Sequence, residues 1–321
     1  MHVTFGRKGF VGTVALFVAL SVLVADSASP AAQDVRATAR MAELWVQPAQ
    51  VRDLFWGVGG RRLRPNPGEL FTVTEIKTAG YSDGYTVVDK AKREWSAKLP
   101  PEASTEVVAS RLLWGMGFHQ PPIYLLSEWK AIGADEGNPQ RSARFRQRKP
   151  DFHGLDSQEA WSYADNPFVG TRELNGLLVL QAMLGNSDLK DENNVVYTLE
   201  RPVEGAARWF VARDLGQTFG RTGLIDAPRG DVEVFEETPF IRDVIDGRVV
   251  LEYSGRHAQL FEHISMADVE WACRRLNRLT NRQWQDAFRA GGYEASVADR
   301  FIRRLKAKVA EGLSLASRKD N

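Results

Sequence analysis

Apolar and polar positions alternate along residues 70–99 in three short runs: "LFTVTEI", "GYTVVDK" and, after the turn-like "DKAKR", "EWSAKL". Alternation of this kind predicts half-buried strands, here an antiparallel meander. At residue 100 the period changes. Pro100 and Pro101 stop the last strand, and "EASTEVVASRLLWGMGF" carries Val107, Val108, Leu112 and Leu113 at helical spacing. Ser104 or Thr105 is the expected N-cap and Gly117 the expected stop. "PIYLLSEW" and "SARFRQR" predict two more strands joined by a polar loop.

The stretch 149–170, "KPDFHGLDSQEAWSYADNPFVG", is polar and irregular and reads as a hinge. Beyond it the period is mainly helical. "TRELNGLLVLQAMLGN" is a strongly apolar helix, "NNVVYTL" and "RWFVARDLG" a hairpin, and three amphipathic helices fill residues 265–313. Upstream, "MAELWVQPAQVRDLFWGVGG" is a short amphipathic patch closed by the loop "GGRRLRPNPG". The pattern predicts an α+β chain: a β-rich part with one helix over 28–155, then a helical part with a small β insertion over 156–321.

Residues 1–27 stand apart. Arg7 and Lys8 precede an apolar run from Phe10 to Ala25, and Ala25 and Ser27 suit cleavage after residue 27. That is the pattern of a cleavable export signal, giving a periplasmic or extracellular protein, with a retained N-terminal anchor as the alternative. No later segment reads as a membrane span. The chain of 321 residues is 43% hydrophobic and 26% charged, enough for a real core, and its net charge of +1 gives no general field for nucleic acid. Cys273 is the one cysteine, so no internal disulfide is possible, and it reads as a buried apolar side chain. The histidines show no metal-binding spacing.

The chemistry concentrates where periods change. Lys98 ends a strand, with Glu106 on the following helix and Glu102 as a competing partner. "NSDLKDENN" follows the apolar helix directly and sets Asp188, Lys190 and Asn193 on one tight loop. Asp214 follows the strand "WFVAR", with Gly216 expected to let the backbone turn sharply. Phosphoryl transfer from ATP needs a lysine held by a carboxylate, an acid and an amide oxygen for Mg²⁺ or Mn²⁺, and a second acid beside the accepting hydroxyl.

The run D-L-K-D-E-N at 188–193 resembles the catalytic loop of protein kinases, and D-L-G at 214–216 resembles their D-F-G. The resemblance implies a two-lobed protein-kinase-like fold. Asp188 would be the base and Lys190 would steady the transferred group. Asn193 and Asp214 would hold metal, and Lys98 with Glu106 would bind nucleotide phosphate. Gly80 and Gly84, in "TAGYSDGY", would supply the phosphate cover in place of a G-x-G-x-x-G loop. Asn186 and Ser187 replace the usual His-Arg, and no A-P-E follows Asp214. Those departures are similar to the atypical branches: persistence-toxin, spore-coat and secretory-pathway, and phosphoinositide kinases. The runs "NPFVGTRELNG" and "DAFRAGGY" also resemble a group of uncharacterised exported bacterial proteins. The expected partners are a nucleotide and a hydroxyl-bearing protein, sugar or small molecule. Because ATP is scarce outside the cytoplasm, a catalytically silent binding module stands as the alternative, as does nucleotidyl transfer on the same fold.

Three further features carry structural expectations. Arg141, Arg144, Arg146 and Arg148 read as a solvated strand edge. Arg172 and Glu173 read as a helix start, and Trp271, Trp284 and Phe288 as core.

Overall fold

The computed structural model describes residues 40–78, 80–133, 139–223 and 227–315, with 1, 2, 38 and 225 as isolated positions. The segment read as an export signal, apart from its first two residues, lies outside the described residues. Among the described residues no helix is long and apolar enough to cross a membrane.

The three alternating runs are strands β1 (Leu70–Lys77), β2 (Gly84–Val88) and β3 (Glu94–Lys98), paired antiparallel in sequence order. Helix α1 (Glu102–Met116) follows. The chain then returns as β4 (Ile123–Leu126), β5 (Trp129–Ile132), β6 (Pro139–Gln140) and β7 (Ala143–Gln147). The seven strands make one sheet in the order β4-β7-β3-β2-β1-β5-β6. Where two strands were expected after α1 there are four, because the chain bends after Leu126 and Trp129–Ile132 crosses to pair in parallel with β1. Strand β7 lies inside the sheet, between β4 and β3, so the expected solvated edge is corrected. Arg144 and Arg146 are inside and only Arg141 and Arg148 face water.

Alternation divides the sheet into two chemistries. One face buries Phe71, Val87, Trp95, Ala97, Trp129 and Phe145, with Trp129 and Phe145 edge-to-face at 5.3 Å. On β3 and β7 the other face carries Ser96, Lys98, Arg144 and Arg146, with Lys98 paired to Arg144 and Ser96 to Arg146 in register. Charged side chains are sustainable there because two carboxylates, Glu106 of α1 and Asp214, lie against them.

Helix α1 starts at Glu102, two residues before the expected cap, and no side chain caps it. Thr105 is turned instead to a distant carbonyl, described below. The helix ends as expected at Gly117, whose φ of 114° suits glycine. Its Val108, Leu112, Leu113 and Met116 pack into the main core with Leu177, Leu180, Leu184, Trp271 and Phe288. One helix therefore belongs to the sheet by its acids and to the helical part by its apolar face.

The helical part is built on α2 (Arg172–Leu184), capped by Thr171 through the N–H of Leu174 and closed by Gly185 at φ 75°. A short strand β8 (Asp156–Ser157) joins the hairpin β9 (Val195–Val203) and β10 (Ala206–Val211). After it come α3 (Val232–Glu237), the hairpin β11 (Ile241–Ile245) and β12 (Arg248–Leu251), then α4 (Met266–Leu276), α5 (Asn281–Ala290) and α6 (Ala295–Ser314). Ser265 and Thr280 form capping boxes at α4 and α5. The stretch 149–170 is more than a hinge: Trp161, Tyr163 and Phe168 are buried in the main core. The result is the α+β, two-part architecture expected, a sheet with one helix followed by a helical part.

Candidate active site

The loop after α2 is fixed by its own amides. All of the helix's last carbonyls find donors: Gln181 from the Asn186 N–H, Ala182 from Gly185, Leu184 from Phe219, and Met183 from Lys308 Nζ at 3.1 Å. Asn186 Nδ2 donates to Gln181 Oε1, and Asn186 Oδ1 accepts from the Asp188 N–H. Asn194 Nδ2 donates to the carbonyl of Trp161. Asn186, Ser187 and Asn194 are buried, and this leaves Asp188 and Lys190 as the partly exposed tips.

At those tips, Lys190 Nζ lies 3.1 Å from Asp188 Oδ1 and Arg256 Nε 3.5 Å from the same atom. Asn193 Nδ2 donates to the Asp188 carbonyl at 3.0 Å and to its Oδ2 at 3.1 Å. With the amide nitrogen so engaged, the Asn193 carbonyl oxygen is the end left for a hard cation.

Across the cleft, Lys98 Nζ lies 3.1 Å from Glu106, 3.5 Å from Glu102 and 3.7 Å from Asp214 Oδ1. Glu106 is the nearer of the two competing acids. Glu102 is claimed chiefly by Arg229, at 2.5 Å. Glu106 is buried and also faces Arg144 at 3.0 Å and Arg146 at 3.4 Å. Burial alone would push its carboxyl up, but Arg144 and Lys98 outweigh it and hold it below the ordinary range. Burial opposes the Lys98 charge, and Glu106 and Asp214 more than restore it, so its ammonium is held above the usual lysine value.

Asp214 sits in the left-handed region at φ 53°, a strained setting that aspartate tolerates better than most residues. Its carboxylate meets Arg146 Nη1 at 3.3 Å. Burial raises its pKa, but Arg146, Lys98, Arg213 and Arg144 together hold it far below the normal carboxylate range. The sharp turn expected at Gly216 therefore falls two residues earlier, at Asp214. Gly216 is required for a different reason: a Cβ there would lie 2.5 Å from the Cβ of Glu102.

Lys98, Glu102, Asp188, Lys190, Asn193 and Asp214 line one cavity of about 570 Å³, roofed by Gly80, Tyr81, Ser82 and Gly84. Gly84 is held against β3, where a Cβ would meet the Ala97 carbonyl oxygen at 2.7 Å. Tyr81 stacks on Arg229, whose Cζ stands 3.3 Å from the ring centroid, so the roof is tied to the segment after Asp214. Glu106 lies behind Lys98 rather than at the cavity wall. The donor set of two acids, one amide oxygen and one held lysine fits a divalent cation and a polyphosphate.

Four site residues were not read from the sequence. Arg144 and Arg146 looked like edge charges; Arg229 and Arg256 had no motif at all. The one signal for the first pair was Phe145 between them, an apolar residue whose burial forces its neighbours to the other face.

No family model matches the chain, and no curated protein matches it in sequence. Among solved structures it is similar to the crystal structure of a Helicobacter pylori proinflammatory kinase, CtkA. The identity is 12% over 75% of this chain and 92% of that one, and the TM-score is 0.42. This is a loose likeness.

Proposed function

We propose that the chain is an exported, ATP-dependent phosphotransferase of the atypical kinase-like kind, acting on a hydroxyl of a protein, sugar or small molecule. One observation carries the reading: the held lysine of the sheet, the Asp188 loop of the helical part and Asp214 all line one cavity. Asn193 and Asp214 would hold Mg²⁺ or Mn²⁺, which when bound neutralises charge on the transferring phosphates. Lys98, kept in place by Glu106, binds phosphate oxygens as a point charge. Gly80 and Gly84 let the roof backbone approach the phosphates. Asp188 orients the acceptor hydroxyl and takes its proton at a carboxylate oxygen. Lys190, beside it, steadies the group in transit.

The test is phosphoryl transfer from γ-labelled ATP, with Mg²⁺ and with Mn²⁺, by the wild type and by Asp188→Asn. The expected loss is about 10²–10⁴-fold. Undiminished transfer by the variant would remove Asp188 from the chemistry.

A second reading has an observation of its own. Asp188 is engaged by both Lys190 and Arg256, which favours a catalytically silent kinase-like module that binds a ligand without turnover. Nucleotide-dependent thermal stabilisation with no transfer to any acceptor would favour it.

A further inference from the structure

Behind the cleft, three cations share two acids. Lys98, Arg144 and Arg146 all lie within 4 Å of Glu106 or Asp214, so the cluster carries three positive charges against two negative, a net +1. The remaining acid nearby, Glu102, is balanced by Arg229. Arg146, like Lys98, is shared by both acids: its Nη1 donates to Glu106 Oε1 at 3.4 Å and to Asp214 Oδ1 at 3.3 Å. Lys98 approaches the same Asp214 oxygen at 3.7 Å. The crowding shows in the geometry, because Arg144 Nε and Glu106 Oε2 are buried and neither finds an aligned hydrogen bond.

We propose that Arg146 is a positioning residue that serves as the built-in counter-ion of Asp214 and sets how a divalent cation may enter the site. The proposal rests on the nucleotide-site reading above. A free divalent cation arriving at Asp214 would bring the cluster from +1 to +3 in a largely buried setting, which is unfavourable. The same cation arriving with a triphosphate brings a surplus of negative charge, which Lys98 and Arg146 then offset. Arg146 thus makes metal and nucleotide bind as a pair and disfavours the metal alone. Its backbone cannot withdraw, because β7 is paired on both sides, with Ser96 and with Ile123 opposite Arg146. It also keeps Glu106 as a partner when Asp214 turns to the metal. A purely structural arginine would have no such sign: its loss would loosen Asp214 and weaken metal binding.

The test is titration of Mn²⁺ into the full chain, followed by the paramagnetic signal of free Mn²⁺, without and with ATP. Arg146→Met and Arg146→Gln remove the charge, the second keeping a hydrogen-bonding side chain so that at least one variant remains folded. Arg146→Lys keeps the charge. The expected result is roughly tenfold tighter binding of Mn²⁺ alone by the two neutral variants, near wild-type binding by Arg146→Lys, and loss of the gain when Asp214→Asn is added. ATP should enhance Mn²⁺ affinity less in Arg146→Gln than in the wild type. Equal or weaker Mn²⁺ binding by both neutral variants, with Mn²⁺–ATP binding intact in the wild type, would overturn this proposal alone. Absence of Mn²⁺ and ATP binding in the wild type would overturn it together with the nucleotide reading.

Discussion

Thr105 Oγ1, on the first turn of α1, donates a 2.6 Å hydrogen bond to the carbonyl oxygen of Gly216, 111 residues away. The bond ties the helix that carries Glu106 to the turn that carries Asp214. Lys98 is therefore held against both acids by one rigid frame. Thr105→Val keeps the shape and leaves the buried Gly216 carbonyl without its donor. The expected cost is about 1–3 kcal/mol of stability, read by chemical denaturation, together with weaker nucleotide binding. A variant as stable as wild type would show the tether to be dispensable.

Glu106 holds three cations from a buried position, its side chain 3% exposed. Glu106→Ala leaves Arg144 and Lys98 buried with their main counter-charge gone, and a loss of about 3–5 kcal/mol follows. The pH dependence has a definite sign. Glu106 and Asp214 both have folded pKa values below their ordinary ones. Their stabilisation is present above the unfolded carboxylate values and is lost as pH falls through the folded ones. Stability measured from pH 6 downward should fall in the wild type and fall less in Glu106→Gln. Parallel slopes would contradict the assignment.

Lys308 carries a linkage of the same sign in a higher pH range. It is 1% exposed, donates to the Met183 carbonyl, and stands 3.9 Å over the ring of Phe235. Burial, aided by Arg304 and opposed by Glu311 and Glu252, lowers its pKa to about 7. Between that value and the ordinary lysine value the unfolded chain binds more protons, so stability rises with pH across the interval, by on the order of a few kcal/mol. Lys308→Met should flatten that rise between pH 7 and 10 in chemical denaturation. An unchanged slope would place the titration elsewhere.

Much of this site was written locally. Asp188, Lys190 and Asn193 fall within six residues, and their loop follows from a helix stop and a strand start on either side. Lys98 and Glu106 straddle a strand-to-helix change that the two prolines announce. Long-range pairing was not legible. The insertion of β7 between β4 and β3, and the parallel pairing of β5 with β1, depend on which strands meet after folding. Alternation reports only that neighbouring side chains face opposite ways, never which face is covered. For that reason Arg144 and Arg146 looked solvated, although the face they share meets Glu106 of α1 and Asp214. Thr105 was misread for a related reason: a hydroxyl near a helix start suits a cap, and only the fold brings Gly216 within its reach.

In the proposed function one cavity, lined by Lys98 and Asp214, binds nucleotide and metal together. Calorimetric titration of Mg²⁺ with a non-hydrolysable ATP analogue tests this most directly, using wild type, Lys98→Ala and Asp214→Asn. Saturable binding by the wild type that requires the metal, reduced at least tenfold in each variant, is the predicted result. Binding that is absent in the wild type, or indifferent to both substitutions, would contradict it.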